Sequence, residues 1–149
     1  PLGAYARGKL EAEALLLENC RDRCLILRTT NLLGESDDPQ KPQGVLPRII
    51  AAAKTGDVFP VWGDGSSTKD YLHTSDFLRA LDLLIQGKQT GLFNVGRGES
   101  VELLRLIEMV EVLTGYAIRI QNLPHYPWDV SQAWIAVDKL LDRGWEPSV

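Results

Sequence analysis

The sequence predicts an α/β fold in which strands and helices alternate along one chain, and three observations carry that prediction. Short apolar runs, too short for helices, are separated by longer stretches with apolar residues at helical spacing. Gly, Asn, Asp and Ser stand at the junctions, where caps and turns need them. The runs CLILR at 24–28 and LFNV at 92–95 show no polar alternation, as in parallel strands covered on both faces. Strands of that kind alternating with helices indicate layers around a parallel sheet rather than a bundle or sandwich. With 149 residues, 44% of them hydrophobic, the chain can enclose one core of ordinary size.

After Pro1-Leu2-Gly3, the stretch from Ala4 to Asn19 is rich in good helix formers and poor in β-branched residues, which predicts a helix. The strand from Cys24 to Arg28 follows. Gly34 to Gly44 is polar and rich in Pro and Gly, hence a loop, and at this length a functional one. Val45 to Thr55 is helical, with apolar residues at 45, 46, 49, 50 and 53 and Gly56 as its stop. Val58 to Trp62 and Asp70 to His73 read as strands around the turn Gly63-Asp64-Gly65. Thr74 or Ser75 caps a helix whose apolar face runs from Phe77 to Ile85, ending near Gly87. After the strand from Leu92 to Val95, Ser100 caps a helix to Thr114, with Gly115 past its end. Ala117 to Gln121 alternates apolar and polar residues, as a half-exposed strand does, and Val137 to Arg143 forms a short last helix.

The net charge of −4, with Lys and Arg scattered singly among acids, leaves no basic stripe for a phosphate backbone, so nucleic acid is not an expected partner. Apolar runs fall far short of the roughly 20 residues of a membrane span, and the amino terminus lacks a signal-peptide pattern. A soluble, cytoplasmic protein is expected. Cys20 and Cys24, with only two His in the chain, make a poor zinc site and are better read as half-buried thiols; no metal is expected.

Tyr5 and Lys9, four apart on the first helix, share one face. A phenol ordinarily ionises near pH 10, so making it a base at pH 7 requires about 4 kcal/mol. A neighbouring ammonium in a water-poor site supplies interaction of that size. Such a phenol can exchange a proton with a sugar hydroxyl while hydride moves between the same carbon and a nicotinamide. By itself the pair is a weak signal, since a solvated Tyr and Lys on a helix surface is commoner. A dinucleotide site also needs a strand, a G-x-G-x-x-G turn and a helix, and no such segment occurs. Asn94-Val95-Gly96-Arg97-Gly98 lies between a strand and a helix but lacks the third glycine.

Five ordered blocks carry a resemblance: Tyr5-Ala-Arg-Gly-Lys9-Leu-Glu-Ala-Glu13; Leu27-Arg28-Thr-Thr-Asn31-Leu-Leu-Gly34; Gly63-Asp64-Gly65 with Lys69-Asp70-Tyr71-Leu72-His73 and Asp76; Phe93-Asn94-Val95-Gly96; and Gly144-Trp145-Glu146-Pro147. Together they resemble extended short-chain dehydrogenases/reductases, the NAD-dependent nucleotide-sugar epimerases, dehydratases and reductases. The resemblance implies the carboxy-terminal half of such a protein. Residues 1 to about 35 would be the last helix and strand of a doubly wound Rossmann-type sheet, and 36–149 mainly the substrate-binding region, with Rossmann elements returning. It implies Tyr5 as catalytic acid/base and Lys9 as the residue that supports the phenolate and holds the nicotinamide ribose. Asn31 then meets both cofactor and nucleotide-sugar diphosphate, although Asn is also a common turn residue. Val45 and Leu46 open the helix bordering the nucleotide pocket, and most of that face is helix core.

Lys69 stands where the family usually carries an Arg that clamps the diphosphate, and Tyr126 stands where a second Arg is usual, with Trp128 in place of Gly. Lys offers one point charge where Arg offers a planar fork. Asp70 and Tyr71 read as packing and turn residues, and His73 and Asp76 as a strand-to-helix junction. The implied cofactor is NAD or NADP for the intact family, with negligible binding expected by this chain alone. The implied partners are a nucleotide sugar and either a second copy or a separate amino-terminal half. A non-catalytic, self-associating or partner-binding module built on the same fold is the alternative.

Overall fold

The computed structural model describes residues 3–34, 44–125 and 130–149. In chain order these form α1 (Ala4–Cys20), a one-turn 3-10 helix (Arg21–Arg23), β1 (Leu25–Thr29), β2 (Asn31–Leu33), α2 (Val45–Thr55), β3 (Phe59–Trp62), β4 (Thr68–Lys69), β5 (Tyr71–His73), α3 (Thr74–Gln86), β6 (Gly91–Val95), β7 (Val101–Glu102), α4 (Leu103–Thr114), β8 (Ile120–Leu123), β9 (Gln132–Ala133) and α5 (Asp138–Leu141). The fold is α/β, as the alternation predicts. β1 pairs in parallel with β6, β2 with β5, and β3 with β8, while β4 lies antiparallel to β7 and parallel to β9. These parallel partners are distant in sequence, Leu25 facing Gly91 and Phe59 facing Ile120, so helices must carry the chain back between them. No described helix is long and apolar enough to cross a membrane.

Two cores result. The apolar stripe of α2 buries Ile49, Ala52 and Ala53 against Leu106, Ile107 and Val110 of α4, over Phe59 and Val61 of β3. Gly56 and Gly115 end these helices as predicted, their N–H groups returning to Ala52 O and Glu111 O. The second core sets Ala80 and Leu84 of α3 on Phe93 and Val95 of β6, with Leu72, Leu140 and Trp145 closing it.

Several local expectations are corrected. Ser100 does not cap α4: Val101 and Glu102 are drawn into β7 by pairing with Lys69 and Thr68, and the helix starts at Leu103. Strand pairing there overrides a local capping preference. The N-cap of α3 is His73, whose Nδ1 accepts the Ser75 N–H, while the Thr74 hydroxyl donates to Leu33 O. The strand expected at 117–121 is shifted to β8, with Ile118 buried just before it and Ile120 exposed. The run at 24–28 is covered less than its sequence predicts, because only Ile26 of β1 is buried and α1 contributes no buried residue.

Candidate active and substrate-binding site

Tyr5 and Lys9 share one face of α1, the ammonium 5.5 Å from the Tyr5 ring centroid. Both are exposed, Tyr5 at 79%. The helix is tied to β1 by Glu13, whose carboxylate accepts Nε and Nη2 of Arg28. Those hydrogen bonds hold the Glu13 carboxyl below its usual range against the opposing effect of partial burial, and hold the Arg28 guanidinium above its own. The same tie fixes direction. Tyr5 lies about 12 Å from Glu13 toward the start of α1, at 1.5 Å per residue. Asn31 lies about 10 Å beyond Arg28, at 3.3 Å per residue. Because the chain returns through the 3-10 turn between α1 and β1, both displacements run toward the carboxyl end of β1. Ligands in open α/β sheets bind at that end of the strands.

Asn31 opens β2, and its side-chain amide donates to Asp70 O at 3.0 Å. Thr30 Oγ1 donates to the same carbonyl at 2.6 Å, and the Asn31 N–H at 3.3 Å. The bond runs to a carbonyl distant in sequence, so Asn31 is not the turn residue bonding its own backbone that its type also suggests. Lys69, the last residue of β4, donates from Nζ to Val130 O. Val45 and Leu46 are half-buried and packed on the first core, the helix-core role expected for most of that face. Tyr126 and Trp128 lie outside the described residues.

The sequence reading assigns Asp70 to packing and turn structure and does not find its electrostatic role. Asp70 is 1% exposed, and its Oδ1 and Oδ2 accept the Arg97 and Gly98 N–H groups, each at 3.0 Å. A carboxylate inside a strand run, together with a Gly-x-Gly turn elsewhere, is the signal that could have found it. The amides of the glycine turn after β6 are engaged by an internal anion, so they do not fit a dinucleotide pyrophosphate, whereas the exposed hydroxyl and ammonium of α1 fit the nicotinamide-ribose end of such a cofactor. Asp76 has a structural role at the junction, as expected: its buried carboxylate accepts Ser148 N, Ser148 Oγ and Val149 N.

A model of the NAD dependent epimerase/dehydratase family matches residues 1–96. The dTDP-4-dehydro-6-deoxy-D-allose reductase of Streptomyces bikiniensis is 37% identical over 105 residues, covering 68% of this chain and 32% of that protein. UDP-glucuronic acid decarboxylase 3 of Arabidopsis thaliana is 28% identical over 159 aligned positions, covering 100% of this chain and 45% of that protein. The chain thus spans from a third to under half of the length of these curated relatives. Among solved structures, a Thermus thermophilus UDP-glucose 4-epimerase in complex with NAD superposes with a TM-score of 0.90 at 26% identity, over 100% of this chain and 50% of that one. A Thermotoga maritima UDP-glucose 4-epimerase with UDP-glucose gives 0.86 at 27%, over 97% of this chain and 48% of that one. With the Tyr5–Lys9 pair, the β1–β6 parallel pairing and a family match over the first 96 residues, the chain belongs to the NAD dependent epimerase/dehydratase family.

Proposed function

We propose that these residues supply the catalytic helix and the substrate-binding region of an NAD(P)-dependent nucleotide-sugar epimerase, dehydratase or reductase. In this reading residues 1 to about 35 are Rossmann elements, and 36–149 are mainly the substrate side, to which Rossmann elements return. One observation carries it: Tyr5 and Lys9 stand together, exposed, toward the carboxyl end of β1. The nicotinamide, when bound, takes up and returns hydride. Tyr5 accepts the proton of a sugar hydroxyl as the C–H bond at the same carbon breaks, and returns it when the carbonyl is reduced. Lys9 stabilises the phenolate and bonds the nicotinamide ribose. Asn31 and Lys69 contact the nucleotide-sugar diphosphate, Tyr126 lies on the substrate side in place of a second Arg and brings no charge to the phosphates, and Val45 and Leu46 stand at the border of the nucleotide pocket. The turn after β6 does not cradle the pyrophosphate of the dinucleotide, because its Arg97 and Gly98 amides are already engaged by Asp70.

Tyr5→Phe, made in the protein together with its dinucleotide-binding portion, keeps the ring and removes the transferable proton. Turnover should fall about a hundredfold, the lower end of what positioned acid/base groups contribute, with KM for the sugar nucleotide little changed. Full activity in that variant would remove Tyr5 from the mechanism.

A self-associating, non-catalytic module is favoured by a different observation, the outward-facing Leu10, Leu15 and Leu16 of α1. Sedimentation separates the two readings. A dimer that neither binds nor turns over a sugar nucleotide when the dinucleotide-binding portion is present supports the module.

A further inference from the structure

We infer that Asp70 is a positioning residue, an internal anion that closes the Arg97–Gly98 turn and thereby sets Asn31 and Lys69 relative to each other. The inference rests on the proposed function only for what Asn31 and Lys69 bind. Asp70 is the single residue between β4 and β5, where the chain leaves the β7-β4-β9 sheet and enters the pairing with β2. Its backbone faces both ways. The N–H donates to Ala133 O of the first sheet at 2.8 Å, and the carbonyl takes the Thr30 and Asn31 donors of the second.

The side chain adds a third direction, toward the end of β6. Two successive N–H groups aimed at one anion form a nest, and here each carboxylate oxygen takes one of them. The turn is shaped to that anion. Gly98 has φ 80°, and a methyl group at Gly96 would lie 2.8 Å from Asp70 Oδ2 and 2.4 Å from Ile135 Cγ2. Outside the nest, the Arg97 guanidinium donates to Val149 O at 2.5 Å, which holds the turn from its other side. The Asn31 side chain, bonded to Asp70 O, and the backbone of Lys69, its covalent neighbour, are therefore both positioned through this joint. An amide cannot replace the carboxylate, because its NH2 would face the N–H of Arg97 or Gly98, donor against donor.

The test uses the isotope-labelled 149-residue protein. In the wild type, the Arg97 and Gly98 amides should exchange with solvent as slowly as those of Phe93 and Val95. In Asp70→Asn both amides and the Asn31 side-chain amide should shift, and in Asp70→Ala added formate, a small carboxylate that fits the emptied nest, should return the Asn31 signal toward its wild-type position. Exchange of Arg97 and Gly98 at the rate of an unstructured peptide, or an Asn31 signal unmoved by Asp70→Asn, would overturn the inference. The wild-type exchange measurement decides even where a variant does not fold. UDP titrated into the protein with its dinucleotide-binding portion gives the second arm: Asp70→Asn should weaken binding about tenfold. Absence of UDP binding by the wild type alongside the expected amide behaviour would end the proposed function and leave the positioning role standing.

Discussion

The two ends of the fold hold their helices in opposite ways. Over 11 residues α2 buries Ile49, Ala52 and Ala53 and is locked between α4 and β3. α1, with 17 residues, buries none; Leu15 is 60% exposed, and the helix is tied down by Arg28 on Glu13 and by the Cys24 thiol near Leu16 O. Both sequences offer apolar residues, but α2 gathers them on one face while α1 spreads them around the helix and buries none among the described residues. The core around α2 holds its helix by packing, while the helix carrying Tyr5 and Lys9 is held to the β1 segment by polar ties.

The sharpest way to break that comparison is to remove the same kind of group from each side. Phe93 is 1% exposed in the second core, and Phe93→Ala should cost about 3–5 kcal/mol, the range for emptying a buried aromatic site. Leu15→Ala on α1 should stay within about 0.5 kcal/mol, as exposed substitutions do. Urea midpoints of the two variants check both values. Similar losses would show that α1 belongs to the cooperative core.

Asp76 should give the next largest effect and a pH signature. Burial pushes its carboxyl up, but the Val149 and Ser148 donors, with the Arg79 guanidinium, outweigh this and leave it below the usual carboxylate range. A depressed group contributes stability that is present above its unfolded value, near pH 3.9, and is lost as pH falls through the folded value. Asp76→Asn should therefore cost about 1–3 kcal/mol at neutral pH by leaving buried donors poorly paired. The gap from wild type should narrow below about pH 4. A gap independent of pH would remove Asp76 from the acid response.

How much of this was legible follows from the range of each signal. The four longer helices were legible because apolar spacing and end residues are local, and Tyr5 with Lys9 was legible because four residues on one helix face is local too. β2, β4, β7 and β9 were not, since strands of two or three residues owe their existence to partners such as Val101 on Lys69 rather than to a pattern of their own. Asp70 shows the same limit in the site. Its donors lie 27 and 28 residues away, so its sequence neighbours mark only a polar residue in a strand. The glycine spacing at 94–98 falls short of a phosphate turn, and only the fold shows that a carboxylate of the chain itself takes those amides.

The smallest expected effect sharpens the comparison most. Arg28 meets Glu13 through Nε at 3.0 Å to both oxygens and Nη2 at 2.5 Å to Oε2, a forked contact in which the Arg28 side chain is 44% exposed and that of Glu13 17%. Exposed pairs contribute at most about 1 kcal/mol, so a double-mutant cycle of Glu13→Gln and Arg28→Gln should give a coupling in that range, reduced by added salt. The Glu13 carboxyl is held low by the Arg28 hydrogen bonds, so the coupling should be present above about pH 4.3 and vanish as pH falls through the folded value. Global stability should hardly change, yet amide exchange along α1 should quicken while that of β3 and α4 stays fixed, because the tie serves the helix and not the core. Quickening spread over both regions would mean that α1 and the two cores unfold as one, and the distinction between a helix held by polar ties and one held by packing would be gone.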